Sequence, residues 1–198
     1  LVWRIASTET PYFLSRPRRF GKSLLLSTFE AYFEGKKELF EGLAIADMEK
    51  EWKTYPVFHL DLNAEKYDSP QALVEILSRQ LTQWELKYGK GEDEETLSGR
   101  FAGVIRRACE QSGRGVVVLV DEYDKPLLQA LGDDALLDDY RKTLKAFYGV
   151  LKSSDRYLRF VFLTGVTKFS QVSVFSDLNQ LNDISLDYSY ATLCGITR

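Results

Sequence analysis

The chain predicts an α/β fold with a largely parallel central sheet, and three observations carry that expectation. Strand-like and helix-like apolar patterns alternate at least four times along its 198 residues, with no internal repeat. Val116 to Val120 is an unbroken apolar run, the mark of a strand covered on both faces by helices. Tyr12 to Leu14 form a short apolar strand that passes through a tight loop straight into a helical pattern.

Taken in order, LVWRIAS reads as the tail of a helix, so the chain is expected to begin within a domain. Tyr12 to Leu14 give the first strand. Lys22 to Glu34 follow as a helix, with Leu25, Leu26, Phe29, Tyr32 and Phe33 at helical spacing and Gly35 placed to stop it. Between Lys36 and Lys53 the pattern is mixed, with a short helix expected near Met48 to Trp52. Pro56 introduces a strand over Val57 to Asn63. Ser69 and Pro70 are a good N-cap and first residue for a long helix burying Leu73, Ile76, Leu77, Leu81 and Trp84. The acidic loop Gly89 to Glu95 reads as a solvated cap on a helix over Thr96 to Gln111 rather than as a metal site. After the buried strand at Val116, a helix is expected over about Leu136 to Lys152 and a further buried strand over Tyr157 to Leu163. Beyond Phe175 the periodic signals fade.

Bulk composition narrows the function classes. The chain is 44% hydrophobic and 28% charged with a net charge of -3, so no global electrostatic pull toward nucleic acid exists. No apolar run is long enough to span a membrane, and the N-terminal residues lack the build of a secretory signal. Cys109 and Cys194 are the only cysteines and are read as small buried apolar residues in a reducing, cytoplasmic setting. The single histidine, His59, falls inside a strand pattern and is assigned a structural role. One histidine and no closely spaced cysteine pair argue against structural zinc and against Cys-His nucleophilic catalysis.

The chemistry concentrates at strand ends. Pro11 to Ser23 read PYFLSRPRRFGKS, where Gly21-Lys22-Ser23 join a strand to a helix N-terminus. Backbone N–H groups and the positive helix end favour anions there, a Lys reaches β- and γ-phosphates, and a Ser hydroxyl ligates Mg²⁺. The general pattern G-x-x-x-x-G-K-[ST] wants glycine at position 16, where this chain has Arg16 followed by Pro17. The anion cradle is therefore expected to draw on Arg18, Arg19, Phe20, Gly21, Lys22, Ser23 and Leu24. The alternatives are a solvated basic turn or a basic patch for nucleic acid built from Arg16, Arg18, Arg19 and Lys22.

VVVLVDE supplies the second element. An Asp at the end of a buried strand, here Asp121, holds Mg²⁺ in phosphate-loop NTPases, and the adjoining Glu122 is placed to activate the attacking water. Acids also cap helices after strands, which is the competing reading. Thr164 ends the strand YLRFVFLT, with Thr167 and Lys168 beyond it. It is read either as a sensor of the γ-phosphate or as an ordinary strand-end threonine. Arg106, Arg107, Arg141 and Arg156 are each read as ordinary surface residues.

SRPRRFGKSLLLSTFEAYF, VVVLVDEYDKP and FVFLTGVTKFS together resemble the AAA-ATPase-like domain of many bacterial proteins. R-P-R-R-F-G-K-[ST] is that family's own form of the phosphate loop, and the resemblance runs from about Tyr12 to Arg198. It implies a three-layer phosphate-loop NTPase of the AAA-like, additional-strand class occupying residues 1–198. It also implies ATP and Mg²⁺ as ligands, with Lys22, Glu122 and Thr164 in catalytic roles and Ser23 and Asp121 on the metal. Family members are generally longer, and many end in a PD-(D/E)XK nuclease-like domain. The helical lid and any such domain are expected to lie outside this sequence. Nucleotide is the expected partner, self-association is compatible with the family, DNA is not indicated by the charge, and no membrane is expected. A nucleotide-dependent switch with little turnover is the alternative to an ATPase.

Overall fold

A computed structural model describes residues 1–63, 66–167, 174–175 and 181–195. The elements run α1 (Val2–Ala6), β1 (Tyr12–Ser15), α2 (Lys22–Phe33), α3 (Ala44–Met48), β2 (Val57–Asp61), α4 (Pro70–Tyr88) and α5 (Leu97–Ser112), then β3 (Val116–Asp121), α6 (Lys125–Gln129), α7 (Asp134–Ser153), β4 (Leu158–Gly165) and β5 (Asn182–Asp183). The five strands make one sheet in the order β2-β3-β4-β1-β5, and every pairing is parallel.

Alternation along the strands builds the three layers. On one face Phe13, Phe58, Leu60, Val116, Val118, Val120, Val161 and Leu163 pack against α4, α5 and α7. On the other, Tyr12, Leu14, Val117, Leu119, Phe160 and Phe162 meet the Leu25, Leu26, Phe29 and Phe33 side of α2. Phe29 and Phe33 lie 4.9 Å, centroid to centroid, from Phe162 and Phe160 respectively. All six residues of β3 are buried, as its lack of polar alternation predicted.

Local signals set most boundaries. Ser69 caps α4 by accepting from Ala72 N, and Thr96 caps α5 by accepting from Gly99 N. α7 begins at Asp134, before the expected Leu136, because Asp133 caps it through Leu136 N at 3.0 Å. The helix expected near Met48 to Trp52 lies earlier, over Ala44–Met48. Glu49 accepts from Glu51 N and from the Tyr32 hydroxyl, which draws the chain off the helix, and Trp52 takes a positive φ of 43°. His59 Nδ1 bonds Glu30 Oε2 at 2.8 Å, a structural contact. Cys109 and Cys194 are free and only half-buried.

One expectation needs correction. Glu94, read as part of a solvated acidic run, is held by Arg107, read as an ordinary surface residue. Their side chains are only 13% and 16% exposed. Arg107 Nη2 donates to Glu94 Oε2 at 2.8 Å and Arg107 Nε to Gly89 O at 3.0 Å, tying the loop to α5. The guanidinium holds the Glu94 carboxyl below its ordinary range, against the opposing effect of burial. A depressed folded-state value means the contribution is complete above the ordinary carboxylate range and is lost as pH falls through the folded value. Glu94→Gln is therefore expected to cost about 2 kcal/mol at neutral pH and little in strong acid, as read by denaturant titration over a pH series.

Candidate functional site

The parallel sheet sends the C-terminal ends of all strands to one edge, and β4 lies between β1 and β3. Leu14 is level with Thr164 and Val120 with Leu163, so the ends of these three strands align. This is where an open α/β sheet binds ligands.

Leaving β1, Ser15 N donates to Ser185 Oγ at 2.8 Å, and Arg16 N donates to Gly165 O at 3.1 Å. The Arg16 guanidinium donates to the carbonyls of Ser15 and Ser185. Arg16 thus ties the loop to the segment after β5. The left-handed residues of the loop are Arg19 (φ 65°) and Gly21 (φ 77°), so position 16 does not need glycine's freedom. Gly21 is required twice over: by its φ, and because a Cβ there would lie 2.8 Å from the Cys194 carbonyl oxygen. α2 starts directly after it. With Gly21 as N-cap the helix has no side-chain cap and no acidic residue in its first turn, so its leading N–H groups remain for an anion. Ser23 and Leu24 are exposed at that helix start, and Arg18, Arg19 and Phe20 are exposed along the loop.

Lys22 behaves differently from its neighbours. It is 4% exposed, and its ammonium donates to Arg16 O at 3.0 Å and Pro17 O at 3.2 Å. It also pairs with Glu122 Oε1 at 3.0 Å. Glu122 itself sits at a φ of 53°, left-handed for a residue with a full side chain, and its Oε2 is buried without a partner among the described residues. Next to it, Asp121 is 2% exposed and accepts from Thr164 Oγ1 at 2.5 Å. Thr164 Oγ1 in turn accepts from Glu122 N at 3.3 Å.

The structure therefore brings Lys22, Asp121, Glu122 and Thr164 into one connected cluster. Ser23 lies one residue from it on the exposed helix start. Lys168 lies outside the described residues. Three residues that sequence reasoning did not assign to the site, Asp124, Thr167 and Ser185, bond directly to its supporting loops. Asp124 carried a signal as the third acid within Asp121 to Pro126 and Thr167 by following the strand end at Thr164, whereas Ser185 carried none. A separate cavity of about 330 Å³, lined by Trp3, Tyr32, Trp52, Tyr55 and Arg159 among others, opens beside the starts of β2 and β4, at the other edge of the sheet.

A helix-flanked parallel sheet with a glycine-lysine-serine loop at its carboxyl edge defines a phosphate-loop NTPase-like domain. The family model described as "Predicted AAA-ATPase" matches residues 1–175, and the chain belongs to this AAA-ATPase-like family. The chain is also similar to an uncharacterized protein in the vnfD 5' region of Azotobacter chroococcum mcd 1, at 43% identity over 188 residues. That match covers 95% of this chain and 36% of the relative, so the chain spans about a third of the relative's length. No solved structure matches significantly. Among the described residues, no helix is long and apolar enough to cross a membrane.

Proposed function

We propose that this chain is the Mg²⁺-dependent ATP-binding and ATP-hydrolysing domain of a longer protein. The observation that supports it most is the convergence of Lys22, Asp121, Glu122 and Thr164 beside the uncapped N-terminus of α2. The residues suit the ligand. A left-handed glycine, open helix N–H groups and a lysine suit a polyphosphate, while the exposed Ser23 hydroxyl and the Asp121 carboxyl are hard oxygen donors of the kind Mg²⁺ takes.

When bound, the magnesium nucleotide supplies an electrophilic γ-phosphoryl group whose charge the cation draws off. Lys22 and the N–H groups from Arg18 to Leu24 hold the phosphates. Ser23 and Asp121 hold the cation, with Thr164 orienting the Asp121 carboxyl. Glu122, once released from Lys22, would accept the proton of the attacking water at its carboxylate, whose Oε2 has no partner among the described residues. Adenine rather than guanine is carried over from the family's description as a predicted ATPase.

One observation favours the second reading, a switch with little turnover. Lys22 and Glu122 already neutralise each other, so a nucleotide must break a buried pair before either group serves it. Calorimetric titration of the full-length protein with Mg-ATP, followed by single-turnover phosphate release, separates the readings. Binding with release that Ser23→Ala suppresses supports the ATPase. Binding without release supports the switch, and absence of binding removes both.

A further inference from the structure

Asp124 is fully buried, and its carboxyl group bonds to one short stretch at the β4 exit. Its carboxyl group accepts from Val166 N at 3.1 Å to each oxygen, from Thr167 N at 2.8 Å and from Thr167 Oγ1 at 2.9 Å. The residues before it reach the same strand end. Tyr123 N donates to Thr164 O at 2.9 Å, and the Tyr123 hydroxyl donates to Thr167 O at 3.1 Å. Gly165 lies so close to the Tyr123 ring that a Cβ there would sit 2.4 Å from Cε1 and 3.0 Å from Asp124 Oδ1.

Every residue from Asp121 to Asp124 is thus bonded to the stretch 164–167. In the middle of this lacing sits Glu122 with its positive φ. That conformation is strained for a residue with a Cβ, and strained backbone persists only where its surroundings over-determine it. Thr164 fastens one side of the turn and Asp124 the other.

We propose that Asp124 is a positioning residue: by anchoring the amides of Val166 and Thr167, it keeps Thr164 against Asp121 and holds the Glu122 backbone in its left-handed turn. It touches no reacting atom. Its catalytic consequence rests on the reading of the site given above, while its structural consequence does not.

The test uses Asp124→Asn in the full-length protein, where the amide NH₂ would face donors that the carboxylate accepts from. Hydrogen exchange of the nucleotide-free protein is expected to accelerate by about tenfold at Val166 and Thr167 and also at Glu122 and Tyr123, with the rest of the sheet unchanged. In turnover, kcat is expected to fall by about tenfold with KM for Mg-ATP and affinity for Mg-ADP nearly unchanged. If Asp124→Asn fails to fold, Thr167→Val carries the test with a smaller effect of the same pattern, rescued by Thr167→Ser. Acceleration confined to residues 166–167 with kcat unchanged would overturn the proposal. So would a general loss of protection with equal loss of Mg-ATP and Mg-ADP binding, which would make Asp124 a residue of fold stability only. Failure of the wild-type protein to bind Mg-ATP would defeat the ATPase reading alone, because the exchange pattern still decides whether Asp124 holds Glu122 and Thr164.

Discussion

Lys22→Ala is expected to weaken Mg-ATP binding by about a hundredfold and also to destabilise the nucleotide-free protein. The first effect follows from removing a cation that would make charge-assisted bonds to the phosphates. The second follows from its present partners. With Lys22 and Glu122 side chains 3% and 8% exposed, deleting the ammonium leaves a buried carboxylate uncompensated, at about 3 kcal/mol. Urea unfolding of Lys22→Ala, Glu122→Gln and the double variant measures this. The double variant should recover most of the loss, since it no longer buries an unpaired carboxylate. Equal destabilisation in Lys22→Ala and the double variant would mean that the pair contributes nothing beyond packing.

Glu122→Gln is expected to separate binding from chemistry. Glutamine cannot take a proton from water, so single-turnover release should fall by about a hundredfold or more. Mg-ATP should bind at least as tightly as to the wild type, because the phosphates no longer compete with a full ion pair for Lys22. Calorimetry and phosphate release on the same preparation report both quantities. Undiminished release would move the proton-accepting role away from Glu122.

How much of this was legible in the sequence depends on whether neighbours or distant segments decide the outcome. β3 was legible because a strand covered on both faces must be continuously apolar. The capped helices α4 and α5 were legible because Ser69 and Thr96 bond within their own first turns. β5 gave no signal: two residues, Asn182 and Asp183, are too few for periodicity and exist as a strand only by pairing with Tyr12 and Phe13. α6, a single short helix, carried only Pro126 as a start signal. Within the candidate site, Lys22 was singled out by the Gly-Lys-Ser loop before α2, and Asp121, Glu122 and Thr164 by strand-end placement. That β4 would lie between β1 and β3 could not be read, since long-range pairing sets strand order. The direct Lys22–Glu122 contact could not be read, because spacing says nothing about which of two ligands a lysine prefers. Arg16 was visible as a departure from the glycine pattern. Its bond to the Ser185 carbonyl was not, since that partner is reached only through the fold.

The Lys22–Glu122 pair also has a kinetic consequence. Two opposite charges held 3.0 Å apart project almost no field beyond their surroundings. An approaching polyphosphate therefore cannot feel Lys22 from a distance. The long-range attraction falls to Arg18 and Arg19, exposed on the loop and screened by salt over about 8 Å at physiological ionic strength. If the proposed nucleotide site holds, capture and retention fall to different side chains: the arginines would set how often a nucleotide arrives and make that rate sensitive to ionic strength, whereas the buried lysine would govern how long it stays.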